Sequence, residues 1–356
     1  MSTIIKVVVI DDSAFMRKAI STMLKKDRDI HVVGIAKNGS EGLDMVRKLN
    51  PDVVTMDIEM PVMDGLTALR RIMMEMPRPV IMVSSLTTEG AEATLKAMEY
   101  GAVDFIPKQL SKVSLDIVKI EEELQSKVKA VARKKARTSR LAALQRPARI
   151  RKPPSPAPVP RTGRLARDLI AIGVSTGGPP AVQKILSEIP ASFPGTILIA
   201  QHMPKAFTGP FAKRLNESSP LTVKEAEDGD MVRPGWVFIA PGGMHIKINQ
   251  RVSRIDVVVS DEPKDALYKP SANVLFSSVA EGVGKRALCV LLTGMGNDGL
   301  IGARELKAKG SVILAQSEET CVVYGMPKAV VDDGLVDKIV DLEDMAGMLQ
   351  SSLYDN

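Results

Sequence analysis

The chain has 356 residues, which is enough for two domains because one domain usually takes roughly 100–200 residues. No apolar run approaches the ~20 residues that a membrane span needs, and the N-terminus lacks the features of a signal peptide, so we expect a cytoplasmic protein without membrane insertion. The net charge of +6 is concentrated between Lys127 and Arg167, where fourteen lysines and arginines occur without an acidic residue. The rest of the chain therefore has a net charge of −8, which argues against nucleic acid as a partner.

Residues 1–125 alternate between strand-like and helix-like segments. Apolar runs predict five strands: Ile5–Ile10, His31–Ala36, Val53–Met56, Val80–Val83 and Val103–Ile106. Helical patterns lie between and after them, near 13–26, 40–49, 64–75, 88–99 and 111–125. This alternation predicts a doubly wound α/β domain with a parallel sheet, in which functional sites lie at the carboxyl ends of the strands.

Polar residues follow the predicted strands at the edge where such a site would lie. Asp11 and Asp12 end the first strand, Asp57 ends the third, Ser84 ends the fourth, and Lys108 follows the fifth. Three carboxylates in one place repel each other and need a cation, and Mg²⁺ suits them because it is a hard ion that prefers oxygen ligands. Asp57 would then be a nucleophile toward a phosphoryl donor, while Lys108 and the Ser84 hydroxyl bind the phosphate.

These residues resemble those of response-regulator receiver domains. The resemblance rests on four segments: Val9–Ser13, Met56–Gly65, Met82–Ser85 and Phe105–Lys108. It implies a flavodoxin-like fold and phosphorylation of Asp57 by a histidine kinase. It also implies that Mg²⁺ is bound beside Asp11 by three groups: the carboxylates of Asp12 and Asp57 and the backbone carbonyl of Glu59. The implied switch residues are Ser84, Phe105 and Lys108.

One detail of this segment departs from the receiver pattern. The order here is Pro107-Lys108, whereas the family often has a proline after the lysine. We expect the change to alter the loop and not the chemistry.

Residues 126–163 differ in character from both of their neighbours. A basic, helix-capable stretch, Lys127–Arg146, is followed by the proline-rich segment Arg149–Pro160, which has too many prolines for a folded core. We interpret 126–163 as a basic, proline-rich linker. Its charge is either merely solvated or attracts an acidic partner.

Residues 164–350 again alternate between strands and helices. The predicted strands are Leu169–Val174, Thr196–Ala200, Trp236–Ile239, Ile255–Val259, Ala287–Leu292 and Val312–Ala315, with a closing helix over Leu342–Leu349. Within Gly173–Gly178, Ser175 lies on a glycine-flanked turn between a strand and a helix that opens on proline. Such a turn exposes a nucleophile beside the N–H groups of a helix start, although the same motif also occurs as a simple tight turn.

A nucleophilic Ser175 needs a base and an acid that orients the base. His202 directly follows a predicted strand and is the favoured base, with His245, on a turn before Ile246–Ile248, as the alternative. Asp298 also follows a strand and precedes a helix, so it could orient the histidine, cap the helix or do both. The chain order Ser, His, Asp differs from the order Ser, acid, His of ordinary α/β-hydrolases, so the serine motif does not imply a lipase fold.

Four segments of this half resemble the chemotaxis protein-glutamate methylesterases: Gly173–Gly178, Gln201–Pro204, Ala240–His245 and Leu292–Gly299. The match covers about 167–350, and together with the receiver it accounts for the two-domain order, 1–125 and 164–350. The resemblance implies a Rossmann-like catalytic domain with a triad made of Ser175, His202 and Asp298. Thr176 and the backbone N–H of Met295 would flank the oxyanion, and His245 would line the site or support the fold.

The two resemblances together imply a phosphorylation-activated hydrolase of bacterial chemotaxis adaptation. It would demethylate glutamate methyl esters and deamidate specific glutamines on the cytoplasmic helices of chemoreceptors. A histidine kinase of the chemotaxis system would be the phosphodonor, Mg²⁺ would serve only the receiver, and ester hydrolysis would need no cofactor. We expect a monomer, in which the unphosphorylated receiver covers the cleft of Ser175.

Three other functions fit parts of the sequence. A transcriptional response regulator would explain the basic linker, but its small helix-turn-helix output does not match the long, strand-rich and acidic second half. A receiver-linked esterase or amidase with another substrate stays open, because a triad defines the reaction and not the substrate. A non-catalytic adaptor that only binds receptors is disfavoured by the presence of all three triad residues.

Overall fold

The computed structural model describes residues 4–108, 120–132 and 164–355. The chain divides into two compact units, Met1–Arg149 and Ile150–Asn356. Most of the predicted linker over 126–163, and the first part of the predicted helix over 111–125, lie outside the described residues. The described stretch 120–132 is helical, and it buries Val128 and Val131.

The first unit is built on a five-stranded parallel sheet with the strand order β2-β1-β3-β4-β5. The strands are β1 (Ile5–Ile10), β2 (Ile30–Ala36), β3 (Val53–Asp57), β4 (Val80–Ser84) and β5 (Asp104–Pro107). The helices are α1 (Ala14–Lys25), α2 (Gly39–Leu49), α3 (Gly65–Glu75), α4 (Thr88–Glu99) and α5 (120–132). The sheet is parallel and its strands β3 and β4 are completely buried, in agreement with their mostly apolar sequences.

Polar side chains fix where the first four helices begin. The side chains of Ser13, Asn38, Asp64 and Thr87 each accept a hydrogen bond from a backbone N–H in the first turn of the helix that follows. The strand order then changes direction between β1 and β3, which opens a crevice at the carboxyl ends of these two strands. Asp11, Asp12 and Asp57 lie at that crevice.

The second unit is built on a seven-stranded parallel sheet with the order β14-β13-β12-β6-β7-β9-β8. Its strands are β6 (Leu169–Val174), β7 (Thr196–Gln201), β8 (Thr222–Glu225), β9 (Trp236–Ile239), β12 (Ala287–Leu291), β13 (Val312–Gln316) and β14 (Lys338–Val340). Its helices are α6 (Gly178–Ser187), α7 (Lys205–Ser218), α8 (Ala272–Gly282), α9 (Leu300–Ala308), α10 (Met326–Asp332) and α11 (Leu342–Ser352). The predicted α/β class with two parallel sheets is confirmed.

Four strands of the second unit differ from the predictions, and one of them, His245–Gln250, begins at the histidine that was predicted on a turn. The edge strands β8 and β14 were not predicted, because they have only four and three residues and are partly exposed. The predicted strand over Ile255–Val259 exists as β11 (Ile255–Ser260), but it pairs with β10 (His245–Gln250) in an antiparallel hairpin outside the main sheet.

The main sheet of this unit also changes direction once, between β6 and β12. Ser175 follows β6, His202 follows β7 and Asp298 comes after β12, so all three lie at the carboxyl edge on which a doubly wound sheet places its sites. No helix of the described residues is both long and apolar enough to cross a membrane.

Candidate active site

The pairing of two adjacent strands brings Ser175 and His202 side by side. Strands β6 and β7 are paired up to Val174 and Gln201, the last residue of each. The backbone N–H of His202 donates to the carbonyl of Val174 at 3.0 Å. Ser175 and His202 are therefore the first residues beyond two paired strands.

Backbone hydrogen bonds on several sides define the turn that carries Ser175. Its N–H donates to the carbonyl of Thr293 at 3.0 Å, and its own carbonyl accepts the N–H of Gly178 at 2.8 Å. The side-chain amide of Gln201 donates to the same carbonyl at 3.1 Å. Gly177 has a φ of +77°, which favours glycine, and this allows α6 to begin directly after the serine. The half-buried Ser175 thus lies at the N-terminus of a helix, where the helix dipole favours negative charge.

His202 is bound to a buried carboxylate. Its Nε2 lies 2.7 Å from Oδ2 of Asp298, and Asp298 is only 5% exposed. Since Nε2–H donates to this carboxylate, Nδ1 is the ring nitrogen that can accept a proton. The ring of Tyr268 stacks on the imidazole, with the centroids 4.2 Å apart and the planes 10° from parallel.

The Asp298 carboxylate lies at the N-terminus of α8. It accepts hydrogen bonds from Oγ of Ser271 at 2.8 Å, from the N–H of Ala272 at 2.6 Å and from the N–H of Asn273 at 3.1 Å. Burial raises the pKa of Asp298, but His202 and these donors outweigh it and hold the pKa below its usual range. Asp298 thus contacts the histidine, as an orienting acid would, and also binds the start of a helix; that it orients a catalytic histidine remains a prediction. That helix is α8, whereas α9 begins after Gly299.

The two residues proposed for the oxyanion adjoin the Ser175 turn. The carbonyl of Thr176 accepts a hydrogen bond from Oγ of Thr293 at 2.8 Å. Gly294 lies so close to Ser175 that a Cβ on Gly294 would be 2.9 Å from the Cβ of Ser175. Met295 directly follows Gly294, so its backbone runs past the serine. That the N–H of Met295 and Thr176 flank the oxyanion remains a prediction.

His245, the alternative base, is engaged by backbone groups at both ring nitrogens. It is completely buried, Nδ1 accepts the N–H of Ser271 at 3.3 Å, and Nε2 lies 3.3 Å from the carbonyl of Pro263. Burial lowers the pKa of His245, which favours the neutral ring. The third histidine, His31, is exposed on β2.

Sequence reasoning missed the groups around His202 and Asp298 that come from the loop before α8 and from its first turn, namely Tyr268, Ser271, Ala272 and Asn273. The N-cap character of Ser271 was readable from its position before an apolar helical segment. The contact with Asp298 was not readable, because it joins residues 27 apart in the chain.

The crevice of the first unit brings its predicted acidic residues together with Lys108. Oxygens of Asp11, Asp12 and Asp57 all lie within 4.8 Å of one another. Nζ of Lys108 is 2.6 Å from Asp57 and 3.5 Å from Asp11. Burial raises the pKa of Asp57 to about 6, despite the nearby ammonium group. Three carboxylates against one cation leave net negative charge, so the donor set fits a divalent cation such as Mg²⁺.

The other receiver residues lie around this crevice. The Ser84 hydroxyl, at the end of β4, donates to the carbonyl of Gly90 at 3.1 Å. Phe105 is buried on β5, and Glu59 is exposed just beyond β3. Although Pro107 precedes Lys108 here, the lysine still reaches Asp57.

Comparison with known families gives two matches that follow the same division of the chain. The CheB methylesterase family matches residues 170–349. The response regulator receiver domain family matches residues 7–118.

Similar proteins span the whole chain. This chain is 62% identical over 376 residues to the protein-glutamate methylesterase/protein-glutamine glutaminase 2 of Nitratidesulfovibrio vulgaris. The match covers 98% of this chain and 100% of that protein. The corresponding protein of Lawsonia intracellularis is 54% identical, with 98% and 99% covered. Among solved structures, the CheB methylesterase catalytic domain of Thermotoga maritima is 38% identical with a TM-score of 0.51, and the match covers 52% of this chain and 98% of that domain.

Proposed function

The chain belongs to the CheB methylesterase family, and on that premise we propose that it is a phosphorylation-activated serine hydrolase of bacterial chemotaxis. It demethylates glutamate methyl esters and deamidates glutamines on the cytoplasmic helices of chemoreceptors. The observation that supports this most strongly is the 2.7 Å contact between the buried, ionised Asp298 and His202, which follows the strand paired with that of Ser175.

The hydrolysis begins with a proton transfer from Ser175 to His202. Nδ1 accepts the Oγ proton while Oγ attacks the ester carbonyl, and the imidazolium that forms is stabilised by Asp298. The proton then passes to the methoxy oxygen, and methanol leaves. In the second half, His202 takes a proton from water and the hydroxide attacks the acyl carbonyl. His202 then returns the proton to Oγ of Ser175 as the acyl–oxygen bond breaks and glutamate is released. Deamidation follows the same steps with ammonia as the leaving group.

The negative charge on the tetrahedral intermediate needs donors that are already in place. We assign this role to the backbone N–H of Met295 and to Thr176, supported by their position around the Ser175 turn and at the start of α6. Removing one such donor costs about 3–4 kcal/mol of transition-state stabilisation in comparable hydrolases.

The first unit acts as the regulatory receiver. Asp57 is the phosphorylated residue. Asp12, Asp57 and the Glu59 carbonyl, with Asp11 beside them, would hold Mg²⁺, which would supply charge neutralisation for the phosphoryl group. Lys108 is placed to bind a phosphoryl oxygen, because its ammonium group already lies 2.6 Å from Asp57. Ser84 and Phe105 transmit the change, and the phosphodonor is a histidine kinase of the chemotaxis system.

The domain bounds of this proposal are 1–125 for the receiver, 126–163 for the linker and 164–350 for the catalytic domain, although α5 (120–132) of the first unit continues past the first of these bounds. Both family matches fall inside the two domains. Phosphorylation of Asp57 in the receiver raises the activity of Ser175 in the catalytic domain. The protein acts as a cytoplasmic monomer, where receptor helices and kinase are both accessible.

Substitution of Ser175 tests the chemistry directly. Ser175→Ala removes the nucleophile, so we expect no methanol release from radiomethylated chemoreceptor membranes by the phosphorylated protein. The matched control is Ser187→Ala at the exposed C-terminal end of α6, which should release methanol like the wild type. Turnover by purified, folded Ser175→Ala protein would rule out Ser175 as the nucleophile. Wild-type protein that is phosphorylated but inactive on every receptor would indicate another ester or amide substrate.

A further inference from the structure

The motif Ala240–His245 contains a buried histidine that the proposed hydrolysis does not use. We propose that His245 is a positioning residue of the Ser175 site: its neutral ring fixes the backbone of Ser271, and Ser271 in turn fixes the Asp298 carboxylate that orients His202. This inference rests on the proposed function, because it deepens the account of the same site.

The contacts of His245 define one tautomer. His245 is the first residue of β10, where the hairpin with β11 begins, and its side chain is completely buried. Nδ1 accepts the N–H of Ser271, so it carries no proton, and Nε2–H therefore donates to the carbonyl of Pro263. The ring thereby ties the loop before α8 to the hairpin.

The charges around His245 favour this neutral state. Lys247 on the same strand and Lys269 in the loop before α8 both disfavour a positive charge on the ring of His245, while Asp298 favours it. Burial is the largest influence, and together with the lysines it keeps the pKa of His245 below its usual value. A protonated Nδ1 could not accept the Ser271 N–H, so the tie exists only with the neutral ring.

Ser271 is the pivot between His245 and the triad. Its N–H is bound by His245, and its Oγ donates to Asp298 at 2.8 Å while accepting the N–H of Val274 at 3.4 Å. The next two residues donate their N–H groups to the same carboxylate. Three of the four donors to Asp298 therefore belong to one short backbone segment that begins at the residue held by His245.

A second group of hydrogen bonds connects the two helices that start near the Asp298 carboxylate. The side-chain oxygen of Asn273 accepts the N–H groups of Gly299, Ile301 and Gly302 at 2.9–3.1 Å. These hydrogen bonds join the start of α8 to the start of α9 around Asp298. Further along α8, the Ser278 hydroxyl bonds to the backbone of Ile248 on β10. His245 connects the N-terminal end of α8 to the same hairpin, so its loss would let the carboxylate shift relative to His202.

Two carboxamide variants separate this role from simple packing. His245→Asn can place an acceptor oxygen near the position of Nδ1 and so keep the tie to Ser271. His245→Gln can reach the carbonyl of Pro263 with its amide but offers no acceptor near Nδ1. Rates of methyl ester hydrolysis are measured with the full-length phosphorylated protein, and thermal unfolding is recorded for each variant.

We expect His245→Asn to keep a kcat close to that of the wild type. For His245→Gln we expect a loss in kcat of about 10- to 100-fold with unchanged KM, because small displacements of catalytic groups have effects of this size. Equal kcat values for the two variants, or a larger loss in His245→Asn, would overturn the inference. A role in packing alone predicts that the larger glutamine is tolerated at least as well.

A further variant tests the link from Ser271 to Asp298 if either carboxamide protein fails to fold. Ser271→Ala keeps the N–H that binds His245 but removes the Oγ donor to Asp298, so kcat should fall while KM stays constant. A fully active Ser271→Ala protein would refute the role of Ser271 as the pivot. A wild-type protein without esterase activity would instead count against the proposed function itself.

Discussion

The Asp298 carboxylate accepts hydrogen bonds from four groups, and this number explains how a buried charge is maintained beside a histidine. An unpaired carboxylate in such a buried position would take up a proton and could no longer stabilise the imidazolium. Burial raises the pKa here, but His202 and the two N–H groups at the start of α8 outweigh it, and the pKa falls. The residue is therefore ionised at every pH at which the hydrolase would work.

Asp298→Asn tests this charge at the residue scale. The carboxamide has no charge and turns an NH₂ group toward one or more of the four donors, so we expect kcat to fall by about 10⁴-fold, as for the same change in a serine-protease triad. The control is Asp341→Asn at the exposed N-cap of α11, which should leave kcat unchanged. An active Asp298→Asn protein would show that the imidazolium needs no carboxylate.

The lowered pKa of Asp298 also predicts how stability depends on pH. A depressed carboxyl pKa stabilises the fold above the unfolded value of about 3.9, and this contribution is lost as the pH falls through the folded value. The difference in free energy of unfolding between wild type and Asp298→Asn should therefore stay constant from pH 8 to pH 5. It should narrow only below about pH 4. A difference that already narrows between pH 7 and pH 5, measured by urea denaturation, would mean that the pKa is raised instead.

At the scale of elements, the turn between β6 and α6 determines where the nucleophile lies. The turn needs a positive φ at Gly177, and a Cβ at this position would lie 2.5 Å from the side chain of Val322. Two separate constraints therefore require glycine at this position: the positive φ, and the lack of room for a Cβ beside Val322. Both constraints act two residues from Ser175.

Gly177→Ala should lower both stability and activity. Strain at a positive φ costs about 1–3 kcal/mol, and the clash with Val322 should displace the Ser175 turn and reduce kcat. Gly229→Ala is the matched control, because Gly229 has a φ of +85° but no neighbour within 4 Å of an added Cβ. We expect Gly229→Ala to lose stability in thermal unfolding and to keep its kcat. Full activity of Gly177→Ala, or equal loss in both variants, would contradict this view of the turn.

The elements also show why part of the site was predictable from the sequence. Ser175 and His202 were found because parallel strands bring the residues that follow them to one edge, so the position after a strand carries spatial information. The contact of Ser271 with Asp298, and that of His245 with Ser271, were not predicted, because Ser271 and His245 come from a loop and a hairpin outside the main sheet. The short edge strands β8 and β14 were missed because they bury too few residues to produce a clear apolar pattern.

At the scale of the whole molecule, each unit has its own parallel sheet and its own site at a point where the strand order changes direction. The order of the motifs along the chain predicted this division and the family of each half. The linker between them is not predictable in the same way, because a basic, proline-rich segment has no apolar periodicity from which a structure follows. The central claim of our account is that Asp57 in one unit controls Ser175 in the other.

The most direct test of this claim is methanol release from radiomethylated chemoreceptor membranes, measured with and without a small-molecule phosphodonor and Mg²⁺. The account predicts that release by the full-length wild type rises with the phosphodonor. Release should stay at the low basal level in Asp57→Ala and be absent in Ser175→Ala. Equal release with and without the phosphodonor, while Asp57 is demonstrably phosphorylated, would contradict the account.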